Sequence, residues 1–211
     1  FPLKESNYVY QKSNLIEILH RLNEQEQKAN DEMMHLMIQL QQLDNDKFLI
    51  QRALLQKDTP VLIDMDKIYR YKLGDDTQNI TDLIKEDSTA VSLWYSNLFY
   101  TQSSLVLNYE DNHINGHTFC LMTSNNNYHG KIDYPSNNLE IVEKGKAISV
   151  MTIYKNEVSF KLLESLINAS LVKYPEYCIK SEPFTRLVTS FSDELCEKVN
   201  VVELVIPVKK R

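Results

Sequence analysis

Aromatic side chains are the residues of this sequence whose types and spacing best suit a binding site. The 211 residues include 12 Tyr, 7 Phe and one Trp. Sites for small molecules are generally apolar clefts that a few polar groups orient, and aromatic rings supply large stacking surfaces. We therefore predict a ligand pocket in which Trp94 forms one wall beside Tyr69, Tyr154 and Phe184. The alternative, which is favoured for any single ring, is that the ring only fills the core.

Two glutamates are candidates for the polar groups of this pocket. Glu203 lies in the middle of the apolar run VVELV, and Glu182 lies shortly before the strand that Phe184 begins. A buried acid would be unusual and therefore a site candidate. Strand alternation nevertheless makes a solvent-facing orientation the more frequent one for Glu203.

Metal binding and nucleophilic catalysis have little support in the sequence. The potential ligands His113, His117, Cys120 and His129, with Asp111, do not have the spacing of a compact zinc site. No G-x-S-x-G elbow is present, and four glycines cannot form a dinucleotide-binding or phosphate-binding loop. We predict no catalytic residue, no metal and no cofactor, so the chain is not expected to be an enzyme.

Composition restricts the class of protein further. A 43% hydrophobic and 25% charged chain is typical of globular proteins, and the net charge of −6 argues against a nucleic-acid surface on this segment. No apolar run is long enough for a membrane span. Three widely spaced cysteines favour reduced thiols and a cytoplasmic location. Because the sequence begins at Phe1 rather than at Met, it is expected to start inside a longer chain.

Residues 14–57 contain neither Gly nor Pro and form the longest predicted element. Their apolar positions alternate spacings of four and three residues, as in a coiled-coil seam. The seam consists of Leu15, Leu19, Leu22, Ala29, Met33, Leu36, Leu40, Leu43, Ile50 and Leu54, with Glu26 and Lys47 as its two charged members. No second heptad segment is present, so we predict an antiparallel homodimer in which Glu26 of one copy approaches Lys47 of the other. The alternative is that the seam packs on the chain's own globular part.

The remainder of the chain, from residue 61 to residue 211, has a mixed pattern. Asp58-Thr59-Pro60 ends the helix. The pattern predicts strands over 61–71, 104–109, 117–123, 139–142, 146–154, 184–191 and 199–208, and helices over 77–86, 90–101 and 157–174. Turns are expected at 74–76, 111–116 and 143–145. Two helices on one face of an antiparallel sheet make an α+β domain, preceded by the helix and by an extension over 1–13.

Four segments in this order carry a resemblance to a known family. They are MDKIYRYKLG (65–74), LEIVEKGKAISVMTIY (139–154), the helix over 157–174 and VNVVELVIPV (199–208). With the long helix, they resemble the linker helix and GyrI-like effector-binding domain of MerR-type transcription regulators of the multidrug-sensing kind. The resemblance implies a pseudo-repeated β-α-β-β fold and a module that dimerises and senses a small aromatic or drug-like ligand. It also implies that DNA is bound only through an upstream winged helix-turn-helix that this chain lacks.

One departure from the family pattern affects the expected ligand. Many relatives carry a buried glutamate, for cationic ligands, at the position that Thr185 occupies here; Phe184 keeps the preceding aromatic residue and Glu182 is a weaker substitute. We therefore expect an aromatic ligand that is neutral or weakly polar, since a buried cation without a partner is costly. The alternatives are a stand-alone GyrI-like small-molecule hydrolase or binding protein, and a structural coiled-coil adaptor.

Overall fold

The computed structural model describes residues 12–75, 82, 85, 102–124, 138–156 and 159–211. It begins with one long helix, α1 (Lys12–Leu55), which confirms the predicted N-terminal helix. Asp58 then adopts a left-handed φ of 57° and Pro60 follows, so the helix cannot continue. The chain divides into two compact units, Phe1–Leu43 and Asp44–Arg211. The last turns of α1 therefore belong to the unit that contains the strands.

The second unit contains the end of α1, an antiparallel sheet and one further described helix. The elements are β1 (Val61–Met65), β2 (Ile68–Gly74), β3 (Gln102–Glu110), β4 (His113–Ser124), β5 (Leu139–Val142), β6 (Gly145–Lys155), α2 (Phe160–Lys173), β7 (Tyr177–Ile179), β8 (Phe184–Ser192) and β9 (Lys198–Lys210). The strand order is β1-β6-β9-β8-β3-β4-β2-β5, and β7 also pairs with β9. The sheet is strongly curled into a half-barrel, and the predicted α+β class is confirmed.

Two short connections account for the curl. Residues 66–67 join β1 to β2, and residues 143–144 join β5 to β6, although in each case the two strands lie towards opposite ends of the sheet. A connection of two residues spans only a few ångströms, so the ends of the sheet must approach each other. Lys67 Nζ lies 3.6 Å from Glu143 Oε1, which brings the two connections into direct contact.

The predicted elements differ from the structure at these connections. The strand expected over 61–71 is two strands, because β1 pairs with β6 while β2 pairs with β4 and β5. The strands around residues 143–145 are present, but they do not pair with each other. The turn expected over 111–116 is restricted to Asp111 and Asn112, which have positive φ, and Gly116 lies inside β4. Asp and Asn tolerate this conformation.

The helices predicted over 77–86 and 90–101 lie outside the described residues, apart from Asp82 and Lys85, and so does Trp94. The predicted helix over 157–174 is α2, which begins at Phe160 because the Ser159 hydroxyl accepts a hydrogen bond from the Leu162 N–H and caps it. The final antiparallel pair, β8 and β9, is confirmed. Of the helices that the structure describes, neither is both long and apolar enough to cross a membrane.

The two faces of the sheet are covered by different helices. On the α2 face, side chains from α2 pack with strand residues into a wholly apolar cluster. This cluster contains Leu107, Ile148, Val150, Leu163, Leu166, Ile167, Tyr177, Leu204, Ile206 and Val208. On the other side, which we call the α1 face, Leu49 and Ala53 pack against Met151 and Val201.

Candidate functional site

The strand register places a row of polar side chains across the α1 face. Residues directly opposite each other on antiparallel strands point to the same face of a sheet. Met151 pairs with Glu203, Glu203 with Arg186, and Arg186 with Ser104. The row continues through Cys120 to Lys72. Arg70 precedes Lys72 by two residues and pairs with Glu140, so both of them share this face.

Glu203 is the acid at the centre of the first part of the row. It is 1% exposed, so the expected solvent-facing orientation is wrong. Arg186 donates to Glu203 Oε2 through Nε at 2.9 Å and through Nη2. The Ser149 hydroxyl donates to Oε1, and Arg52 Nη1 lies 3.5 Å from the same oxygen. The carboxylate is thus enclosed by groups that compensate for its burial.

Arg52 connects this acid to the last turn of α1. Its Nη1 donates to Ser149 Oγ and its Nη2 to the Ser149 carbonyl, both at 2.9 Å. Asp46, further back on α1, is close enough to Arg186 for the two charges to interact. Burial raises the pKa of Asp46, and Arg186 acts in the opposite direction. We call Asp46, Arg52, Ser149, Arg186 and Glu203 the Glu203 cluster.

Arg70 is the centre of a second group on the same face. Its side chain is fully buried, and its Cζ lies 4.5 Å from the centre of the Phe184 ring, a cation–π distance. Nη1 lies 3.5 Å from Glu140 Oε2, and Nη2 lies 3.5 Å from the Glu182 carbonyl oxygen. Burial lowers the pKa of Arg70, an effect that Glu140 opposes. Among the described residues, the hydrogen-bond contacts of this buried guanidinium are therefore long ones.

Two further residues lie beside Arg70 on this face. Burial raises the pKa of the Cys120 thiol to about 12, so the thiol stays protonated at neutral pH and is a poor nucleophile. Lys72 Nζ lies 3.6 Å from Glu140 Oε2. We call Arg70, Lys72, Cys120, Glu140 and Phe184 the Arg70 cluster.

Ser104 lies between the two clusters, because its register partners are Cys120 and Arg186. Its hydroxyl is buried and makes no hydrogen bond with any residue that the structure describes. Buried polar atoms are normally paired, and each exception asks for an explanation.

The structure brings together only some of the predicted pocket residues. Phe184 and Glu203 lie on the α1 face. Tyr69 and Tyr154 lie at strand positions whose side chains point to the opposite face. These two tyrosines are also separated by four strands, since Tyr69 is on β2 and Tyr154 on β6. The register therefore does not place Tyr69 and Tyr154 beside Phe184. Contact of any of these residues with a ligand stays a prediction.

Glu182 and Thr185 are the two residues near Phe184 that bear on the charge of the predicted ligand. Glu182 is exposed, and it is its backbone carbonyl that faces Arg70. Thr185 is buried, and its Oγ1 accepts a hydrogen bond of 3.3 Å from the Leu105 N–H. Thr185 lies on the α2 face, because it pairs with Leu204, and an acid at this position would lie there too. The buried acid Glu203 lies on the other face of the sheet.

Sequence reasoning missed the arginines and serines that complete the site. Arg70 lies inside the alternating segment IYRYK, and Arg186 lies inside FTRLV. A basic residue in the middle of a mostly apolar strand was the feature of the sequence that could have indicated each arginine as a site residue. Their shared face depends on the pairing of β2 with β4 and of β8 with β9, which no local pattern reveals.

The potential metal ligands do not assemble within the described part of the chain, where no group of three or more His, Cys, Asp or Glu side chains is suited to a metal ion. The His113 ring lies 3.9 Å from Glu164. The His117 ring packs edge-on against Phe119 at 5.2 Å. His129 lies outside the described residues.

Comparison with known proteins gives structural likeness only. No family model matches the chain, and no curated protein matches it. Among solved structures, the C-terminal domain of EcmrR is similar at 14% identity, with 72% of this chain and 98% of that chain covered and a TM-score of 0.43. EcmrR in a complex with DNA is similar at 16% identity, with 100% and 78% covered and a TM-score of 0.45.

A hydrolase from Listeria innocua is similar at 10% identity, with 77% of this chain and 98% of that chain covered and a TM-score of 0.43. The similar structures thus include both a DNA-bound protein and a hydrolase. With TM-scores below 0.5, these likenesses assign neither a family nor a function to this chain.

Proposed function

We propose that this chain is the small-molecule-sensing and dimerisation module of a bacterial transcription regulator, and that a small aromatic ligand binds on the α1 face of the sheet. The observation that carries this proposal is the Glu203 cluster, which joins the last turn of α1 to a row of buried polar groups. Buried ion pairs are often less stable than apolar packing of the same volume. Their presence on the α1 face, where Glu203 meets Arg52 and Arg186, therefore favours a functional role.

The same cluster supports a ligand that is not a strong cation. Glu203 is already engaged by Arg186, Ser149 and Arg52. A cation approaching Glu203 would face Arg52 and Arg186, which already compensate this carboxylate, and its desolvation would cost several kcal/mol. This arrangement therefore argues, as the sequence does, against a strongly cationic ligand.

Calorimetric titration with two naphthalene derivatives of different charge tests the proposal. We expect neutral 2-naphthamide to bind with a Kd below about 1 mM, and (naphthalen-2-yl)methylammonium to bind more weakly. The double variant Glu182→Gln, Glu203→Gln is compared with the exposed control Glu194→Gln. Tight binding of the ammonium compound that survives the double change would contradict the charge argument.

The dimerisation part of the proposal rests on the first unit. Leu15, Leu22, Met33, Leu36, Leu40 and Leu43 are all exposed in the single chain, while Ile50 is partly buried. A long exposed apolar seam is unfavourable for a monomer, and its heptad spacing suits a second copy of the same helix. Glu26 and Lys47 favour the antiparallel orientation, since each would then meet the opposite charge.

Light scattering tests this assembly. The unmodified chain should have the mass of a dimer at micromolar concentration, and Leu36→Asp with Leu40→Asp should give monomers, because charges would be buried in the seam. The matched change Glu32→Asp with Gln41→Asp, at exposed positions outside the seam, should leave the dimer intact. A monomeric mass for the unmodified chain would refute homodimerisation.

The regulator role assigns DNA binding to an upstream domain and places the protein in the cytoplasm. With a net charge of −6, this segment alone should not bind duplex DNA tightly at about 150 mM salt. The hydrolase alternative is not favoured by the described residues. The Ser149 hydroxyl is held between Arg52 and Glu203, and burial keeps Cys120 protonated.

A further inference from the structure

Arg70 has more hydrogen-bonding capacity than its surroundings use. A guanidinium carries five N–H donors and is always charged. In the described part of the structure, its Nε has no hydrogen-bond partner, and its two other contacts are both 3.5 Å long, at the limit of a hydrogen bond. Since the side chain is 0% exposed, bulk water does not supply the missing partners. A buried cation in this state would be stabilised by an added acceptor.

Ser104 supplies a second unmet group on the same face. Its hydroxyl has no partner among the described residues, and it lies opposite Cys120 in the register of β3 and β4. Cys120 in turn lies opposite Lys72 and within electrostatic range of Arg70. The side chains between these polar groups are apolar, and they include Val106, Met122 and Phe184. This part of the face therefore holds a buried guanidinium and a buried hydroxyl beside apolar side chains.

Arg70 lies close to the edge of the sheet that β5 forms, because β2 pairs with this end strand. Glu140 on β5 and Lys72 on β2 are 35% and 42% exposed and are paired at 3.6 Å. Arg70 lies directly behind this pair, because its Nη1 contacts the same Glu140 oxygen. Among the residues that the structure describes, this group consists of Arg70, the partly exposed Glu140 and Lys72, the protonated thiol of Cys120 and the exposed Glu182. The fully buried charge among them is positive.

We propose that the ligand of the α1 face is an aromatic carboxylate, and that Arg70 receives its carboxylate group in place of Glu140. A planar guanidinium matches a carboxylate through two parallel N–H···O bonds, a geometry that the long contact to Glu140 does not provide. The aromatic part lies against Val106, Met122 and Phe184, and Ser104 donates to a polar substituent. Glu140 then acts as an internal competitor that holds Arg70 weakly until the ligand arrives. This inference rests on the proposed function, since it specifies the ligand of that site.

Titration of the full chain with three matched probes tests the inference. The probes are 2-naphthoate, 2-naphthamide and (naphthalen-2-yl)methylammonium, which share a ring system and differ in charge. We expect naphthoate to bind at least about tenfold more tightly than naphthamide, since charge-assisted bonds are stronger than neutral ones. The ammonium compound should bind most weakly. Acetate alone should not bind measurably at the same concentration, because it lacks the apolar part.

Two variants of the site change this preference in opposite directions. Arg70→Gln should remove the preference for naphthoate over naphthamide, whereas the control Arg211→Gln, which removes an exposed arginine and the same charge, should keep it. Glu140→Gln should tighten naphthoate binding at least about threefold, because the internal competitor is lost. The second variant retains the buried arginine, so it keeps the inference testable if Arg70→Gln fails to fold.

The outcomes separate the inference from the proposed function. If naphthamide and naphthoate bind equally, or if Glu140→Gln leaves naphthoate binding unchanged, the carboxylate inference is wrong while ligand sensing stands. If none of the three naphthalene compounds binds, both the inference and the proposed ligand site are overturned. A naphthoate preference that disappears in Arg70→Gln and strengthens in Glu140→Gln supports both.

Discussion

The two faces of the sheet are built from the same strands but bury different kinds of side chain. On β9, Leu204 and Glu203 are neighbours, both are almost completely buried, and they point to opposite faces. Leu204 joins the apolar cluster under α2, whereas Glu203 meets two arginines and a serine. The comparison shows that burial alone does not distinguish core from site. The distinction lies in which partners each buried side chain meets.

The largest expected effect comes from removing the acid of the α1 face. Glu203→Leu should lower the free energy of unfolding by about 3–5 kcal/mol, because Arg52 and Arg186 lose their shared partner while buried or partly buried. Urea unfolding followed by circular dichroism measures the change. The exposed control Glu194→Leu should stay within about 0.5 kcal/mol of the original chain. A small loss for Glu203→Leu would show that the cluster is held by other contacts.

A somewhat smaller effect is expected on the α2 face. Leu204→Ala should lower the free energy of unfolding by about 2–4 kcal/mol, because it leaves a cavity among packed apolar side chains. The same urea experiment gives the value. Naphthamide affinity should not change, since Leu204 points away from the α1 face. Loss of ligand affinity at constant fold would instead move the binding site to the α2 side.

The smallest effect concerns Asp46. Burial raises the pKa of this side chain above its ordinary value. A raised folded-state pKa means that the folded state holds the proton more tightly, so the stability falls as pH rises from the ordinary Asp value through the raised one. Asp46→Asn should therefore stabilise the chain at pH 7, by less than about 1 kcal/mol after solvent screening. The advantage should vanish below about pH 3, where both states are protonated.

Unfolding measured across pH checks this sign, with the exposed Asp44→Asn as the matched control. If Asp46→Asn destabilises the chain at pH 7, the attraction of Arg186 outweighs burial. The carboxylate would then belong to the ion-pair network as a stabilising member.

The sequence predicted the elements that periodicity controls and missed those that depend on long-range pairing. The heptad spacing from Leu15 to Leu54 and the apolar face of α2 indicated their helices correctly, because such patterns are local. The division of 61–71 into β1 and β2 was not visible, since it arises from pairing with β6 on one side and β4 on the other. The candidate site follows the same rule. The local sequence around Phe184 and Glu203 was enough to indicate them as candidates. Arg70 could be recognised only from the structure, in which its side chain lies over Phe184.

The two-residue connections at 66–67 and 143–144 affect how the chain folds. Val61 near the start of the sheet pairs with Ser149 on β6, so the first strand finds its partner only after most of the chain is available. Contacts between residues so distant in sequence slow folding, because a large loop must close before they stabilise anything. The pair Lys67–Glu143, where the two connections meet, can form only when that loop has closed. Its formation would therefore mark a late step, in which the two halves of the sheet become one cooperative unit.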